Sequence, residues 1–139
     1  MVLVDTSAWI FALKKNFLLP LKEKIDLLLR DGLILTFGMI KLELLGGTKS
    51  EKEFARLKSR LDVLYEIPTD QSLWDEASEL AFMLHRKGIT VPYTDILIAS
   101  AALYSKATLL HVDIHFNLMA KHTELKVERF LSLIQCRED

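Results

Sequence analysis

Short apolar runs alternate with longer amphipathic stretches along this chain. Val2 to Val4 is apolar, valine-rich and followed by the turn-like Asp5-Thr6-Ser7, which predicts a short buried strand. Ser7 to Lys15 then reads as a helix. A second helix spans Leu18 to Arg30, with Pro20 near its first turn, where a missing N–H is tolerated, and Asp31-Gly32 as its stop. Leu33 to Phe37 reads as a strand, and Met39 to Leu45 as a helix ended by Gly46-Gly47. Ser50-Glu51-Lys52-Glu53 has the capping-box pattern and opens a helix to about Leu64, with Phe54, Leu57 and Leu61 on one face.

Tyr65 to Ile67 reads as an edge strand closed by Pro68. Ser72-Leu73-Trp74-Asp75 carries a second capping signal, for a helix running to Lys87 and stopped by Gly88. Thr94-Asp95 starts a helix through Tyr104 or Ser105. Ala107 to Val112 is a buried strand, His115 to Lys121 a short helix, Leu125 to Val127 a last strand, and Phe130 to Ile134 a terminal apolar segment. Strands alternating with helices predict an α/β domain, a three-layer α/β/α sandwich around a mainly parallel sheet. No repeat, low-complexity tract or linker divides it, so residues 1–139 read as one domain.

Composition narrows this without changing it. Half of the 139 residues are hydrophobic, enough for a substantial core, and the net charge of −1 argues against a wholly basic nucleic-acid glove. Cys136 is the only cysteine, so no internal disulfide forms, which fits a cytoplasmic setting. No secretory signal or membrane span is expected: Asp5 interrupts the first apolar run, and Lys106 interrupts the longest.

Four acids stand where acids are costly. Asp5 ends an apolar strand, Glu43 is bracketed by Leu42, Leu44 and Leu45, Asp95 opens Ile96-Leu97-Ile98-Ala99, and Asp113 follows Leu109-Leu110-His111-Val112. In a parallel sheet, ligands bind outside the carboxyl ends of the strands, and Asp5, Asp95 and Asp113 all fall on that rim. Converging carboxylates call for a cation, and hard oxygen ligands suit Mg²⁺ or Mn²⁺. Such an ion activates water and clamps phosphate oxygens, which is the chemistry of phosphodiester hydrolysis. Asp5, Asp95 and Asp113 are candidate ligands. Glu43 either ligates or orients the attacking water, and Thr6, Ser7 and Thr94 offer hydroxyls beside the acids.

These segments in this order resemble the PIN domain. They are Val2-Leu3-Val4-Asp5-Thr6-Ser7, the helix bearing Glu43, Thr94 to Ala101, and Leu109 to Asp113 followed by Phe116. The pattern is most similar to the VapC-type toxin ribonucleases. The resemblance implies a Mg²⁺- or Mn²⁺-dependent endoribonuclease whose site is formed by Asp5, Glu43, Asp95 and Asp113. It also implies a homodimer and a cognate antitoxin. One departure stands out: where such proteins often carry a further acid two residues after the position of Asp113, this chain has His115. With His111, it places nitrogen ligands at alternate positions, and a softer ion such as Mn²⁺ or Zn²⁺ becomes conceivable.

Each residue also has an ordinary reading. Asp5 and Asp113 suit turns, Asp95 an N-cap or first-turn acid, and Glu43 the solvent edge of an amphipathic helix. His111 reads as a hydrogen-bonded core residue, and His85 and His122 as surface. Lys49, Lys52, Arg56, Lys58 and Arg60 read as a solvated helix face, with an RNA-backbone rim, joined by Lys14, Lys15, Arg86 and Lys87, as the alternative. Trp9, Phe11, Trp74 and Phe82 read as core or dimer-interface aromatics. Two other functions compete: a receiver-like phospho-acceptor module, and a catalytically weak PIN-type scaffold that binds RNA or protein.

Overall fold

The computed structural model of the chain describes residues 1–13 and 19–130. Lys14, Lys15, Leu18, Cys136 and the segment beyond Phe130 lie outside the described residues. Five strands form one wholly parallel sheet in the order β3-β2-β1-β4-β5. They are β1 (Val2–Val4), β2 (Ile34–Phe37), β3 (Tyr65–Ile67), β4 (Thr108–His111) and β5 (Lys126–Arg129). The helices among the described residues are α1 (Thr6–Leu13), α2 (Leu19–Arg30), α3 (Gly38–Gly46), α4 (Glu51–Leu61), α5 (Gln71–Arg86), α6 (Tyr93–Ser105) and α7 (Ile114–Ala120). The result is the expected α/β sandwich.

The order matters more than the count. From β1 the chain builds outward through β2 and β3, then crosses back to add β4 and β5 on the other side. The direction of winding therefore reverses between β1 and β4, and the helices that follow them diverge to leave a crevice at their carboxyl ends. β1 and β4 are in register from Val2↔Thr108 to Val4↔Leu110, so both strands end at the same level of the sheet.

Burial explains the sequence of the centre. Leu3, Val4, Leu109 and Leu110 are fully or almost fully buried, as befits strands covered on both faces. Ile96 to Ala102 of α6 are all buried, so this helix is apolar all round rather than amphipathic. Ser100 is accommodated there because its hydroxyl donates to the Ile96 carbonyl at 2.8 Å. Gly32 and Gly88 adopt φ of +65° and +74°, the left-handed conformation that closes α2 and α5.

Several expectations need correction. The N-cap of α5 is Asp70, whose carboxylate accepts from Leu73 N–H at 3.0 Å; Ser72 lies inside the helix. Asp70 competes better because the chain is already extended there, at ψ 178°, leaving its side chain over the first free N–H groups. At α4, Ser50 caps Glu53 N–H as expected, but Glu53 reaches back to Lys49 N–H rather than to Ser50. Leu57 and Leu61 pack inward while Phe54 stays largely exposed. Trp9 is in the core, but Trp74 and Phe82 are 49% and 64% exposed, so neither is a core aromatic. The basic residues of α4 face solvent, and Lys58 pairs with Asp62 at 2.6 Å.

Replacing Asp70 with Ala is expected to lower unfolding free energy by about 1 kcal/mol. Ser72→Ala is expected to change it by less than about 0.5 kcal/mol. Equal losses in urea melts of the two variants would contradict the cap assignment.

Candidate active site

The acids gather at the crevice between β1 and β4, and each arrives by a different local route. Asp5 follows β1 directly. Its N–H donates to the Leu110 carbonyl at 2.9 Å, which extends the β1–β4 pairing by one step, and its own carbonyl starts α1 by accepting from Trp9 N–H. The Asp5 side chain turns back in an Asx-type motif: Oδ2 accepts from Ser7 N–H at 3.0 Å and from Ser7 Oγ at 2.5 Å. The turn reading of Asp5 is thus correct as local structure. It does not explain the burial, because Asp5 is only 4% exposed.

Ser7 also joins the two central strands. Its Oγ donates to Asp5 and accepts from Val112 N–H, just beyond β4, at 3.2 Å. Thr6 faces the other way and donates from Oγ1 to Glu43 Oε1 at 2.9 Å, linking β1's rim to α3. Glu43 is therefore brought to the site, but it is exposed rather than desolvated, since α3 turns Leu42 as well as Glu43 to solvent and packs on Ile40 and Leu44.

Asp95 is the third residue of α6, and Pro92 occupies the cap position without a side-chain bond. Asp95 is therefore not the N-cap but is the first-turn acid that the ordinary reading also allowed. Its Oδ2 instead meets His115 Nδ1 at 2.9 Å. Asp113 is the N-cap of α7, with Oδ1 accepting from His115 N–H at 3.0 Å, and the same oxygen lies 3.2 Å from His115 Nδ1. Asp95, Asp113 and His115 each offer a ligand atom within 4.8 Å of the others. Thr94 is exposed and lines a neighbouring apolar groove with Met39, Trp74 and Tyr93.

His111 supports this rim without entering it. It is fully buried, and its Nδ1 accepts from Asp113 N–H at 3.1 Å. The hydrogen must then sit on Nε2, which donates to Asn117 Oδ1 at 3.1 Å. The ring packs edge-on to Phe116 at 5.2 Å. Burial drives its pKa down to about 4, so the imidazole is neutral at physiological pH. This matches the core role expected for it. The contact of His115 with two acids was signalled only by its position at alternate spacing.

The electrostatics tie the acids together. Burial raises the Asp5 carboxyl to about 6, against the lowering effect of Ser7, and the charges of Asp95 and Glu43 push the same way as burial. Asp95 is raised by burial and by Asp113, and lowered by His115. Asp5 thus feels Asp95 and Glu43, and Asp95 feels Asp113, while the set of ligand atoms within 4.8 Å of one another is Asp95, Asp113 and His115 and does not include Asp5 or Glu43; among the described residues no cation is one of the groups shifting Asp5. A buried carboxylate surrounded by further carboxylates fits a divalent cation held by hard oxygen donors. The arrangement can hold such an ion and position a water beside it.

Comparison with known proteins agrees with this geometry. The family model described as PIN domain matches residues 2–122. The chain is similar to "VapC ribonuclease Mb1587" of Mycobacterium bovis and to "Ribonuclease VapC11" of Mycobacterium tuberculosis. Each is 27% identical over 133 residues, spanning 94% of this chain and 99% of the relative. Among solved structures, VapBC2 of Rickettsia felis bound to a promoter DNA fragment superposes with a TM-score of 0.77 at 25% identity, covering 93% of this chain and 98% of the other. A DNA-bound VapBC from Salmonella typhimurium gives 0.77 at 21% identity, covering 92% and 96%. With its switch-point acids, its parallel sheet and this match over most of its length, the chain belongs to the PIN domain family.

Proposed function

We propose that this chain is a metal-dependent endoribonuclease, the toxin of a toxin–antitoxin pair, and that residues 1–139 form one PIN-like domain. The observation that carries the reading is the cluster of Asp95, Asp113 and His115 at the switch point, beside the buried Asp5 carboxylate and with Glu43 tethered to the same rim through Thr6. Relatives named as VapC ribonucleases support the activity, and neighbours solved as VapBC complexes support an antitoxin partner. The exposed Trp74, Phe82 and Tyr93 on α5 and α6 suit a homodimer contact. Among the described residues no helix is long and apolar enough to cross a membrane, and we take the protein to act in the cytoplasm on RNA.

Asp5, Asp95 and Asp113 would hold Mg²⁺ or Mn²⁺, with Glu43 at the open side. When bound, such an ion lowers the pKa of water and neutralises charge developing on the phosphate. The chain's own residues do the positioning. Ser7 fixes the Asp5 carboxylate and the end of β4 in one motion. Thr6 holds Glu43 Oε1, leaving Oε2 to accept a proton from a water attacking the phosphodiester. The His111 ring fixes the Asp113 backbone from within the core.

The shift at Asp5 makes a linked statement about stability. Its folded-state pKa, about 6, exceeds its ordinary 3.8, so the folded protein holds that proton more tightly than the unfolded chain. The stabilisation is complete below about pH 4 and is lost as pH rises through about 6. The gap between 3.8 and about 6 corresponds to about 3 kcal/mol lost by the metal-free protein at neutral pH.

In EDTA at pH 7.5, Asp5→Asn is therefore expected to melt higher than wild type by several degrees, at about 2–4 °C per kcal/mol. The gap should shrink towards zero at pH 4. A variant no more stable than wild type at pH 7.5 would show that the Asp5 charge is compensated after all.

Purified wild type is expected to cleave RNA with Mn²⁺ or Mg²⁺ and to stop with EDTA. Asp5→Asn and Asp95→Asn should each slow cleavage by more than about a hundredfold, beyond the effect of most outer-shell changes. Unimpaired cleavage by a well-folded Asp5→Asn protein would sink the assignment. Metal binding with every tested RNA left intact would favour the scaffold reading.

A further inference from the structure

Resting on the reading that the acids hold a divalent ion, we propose that His115 is itself a ligand. It would make the centre a mixed nitrogen–oxygen site that favours first-row transition ions over Mg²⁺. The position matters because the His115 ring nitrogen lies against both Asp95 and Asp113. An imidazole substitutes a neutral nitrogen for a charged oxygen, which changes which ions the site prefers.

The placement of Nδ1 carries the inference. It lies 2.9 Å from Asp95 Oδ2 and 3.2 Å from Asp113 Oδ1. Carboxylate oxygens only accept, so with both acids ionised Nδ1 bears the hydrogen. That hydrogen lies along the direction in which the nitrogen lone pair points once the hydrogen is on Nε2. An ion entering between the two carboxylates would replace it without turning the ring. Ligands about 2.1 Å from one octahedral ion are roughly 3–4 Å apart. The three donor atoms all lie within 4.8 Å of one another, so small side-chain rotations complete the set.

The backbone holds His115 to this task. Asp113 Oδ1 accepts from His115 N–H, which fixes the first turn of α7 and aims the imidazole across the crevice at α6. His111, the other histidine of the segment, is not available: its two nitrogens are taken by Asp113 N–H and Asn117, and its ring is buried. Mg²⁺ keeps its waters and binds through few carboxylates, so it gains little from an imidazole. Manganese and the later first-row ions accept nitrogen more readily.

The test uses Mn²⁺ as the probe on the full chain, with binding followed by EPR and the inner sphere read by pulsed EPR. Wild type is expected to bind Mn²⁺ with a directly coordinated ¹⁴N, and His115→Asp to bind Mn²⁺ without it. The preference for Mn²⁺ over Mg²⁺, measured by competition, should fall by about tenfold or more in His115→Asp. Mn²⁺ bound in wild type with no coordinated nitrogen would overturn the ligand role while leaving metal at the acids. A nitrogen signal that persists in His115→Asp would overturn it too, by assigning the ligand elsewhere. No Mn²⁺ binding at all would remove the underlying reading along with this one.

Discussion

Asp5 sits at the carboxyl end of the central strand with burial and two neighbouring carboxylates all working against its charge. Its turn with Ser7 does not require that burial. An aliphatic residue would pack the same position without desolvation loss, and a turn could be made by an exposed Asp. The arrangement makes sense only if something positive shares the crevice. Much of the local architecture fixes that carboxylate in place.

The fixing is done by neutral groups. Ser7 supplies two donors to Asp5 and takes one from the loop after β4, so the two central strands are locked at their ends by one hydroxyl. His111 is kept neutral by burial and spends both ring nitrogens on the segment that carries Asp113. A lysine or arginine in either role would have paired with the acids and competed with a metal. The third element, α6, packs against β4 and α7, and carries Asp95 as the acid of its first turn.

Most of the fold was legible because its strands are buried on both faces and read as short apolar runs. Val2–Val4 was located to the residue, and Tyr65–Ile67, read as an edge strand closed by Pro68, is at the edge of the sheet. Helix starts were less legible, since Asp70 and Ser72 are both good caps and only the extended backbone at Asp70 decides between them. The site was legible as a set of acids on one rim. Their individual states were not. Glu43 looks desolvated among leucines in the sequence, yet α3 turns Leu42 and Glu43 outward together. Asp95 reads as an N-cap or a first-turn acid, and the structure makes it the second. Asp113 is both a cap and part of the rim. The meeting of His115 with Asp95 depends on how α6 and α7 pack, which no local pattern encodes.

If the four acids form one metal cradle, anomalous diffraction from crystals grown with Mn²⁺ will locate the ion there. A manganese peak is expected within bonding distance of the Asp5, Asp95 and Asp113 carboxylates, with Glu43 beside it. An ordered crevice with no peak under saturating Mn²⁺, or a peak held by other residues while Asp5 rests on Ser7 alone, would contradict it.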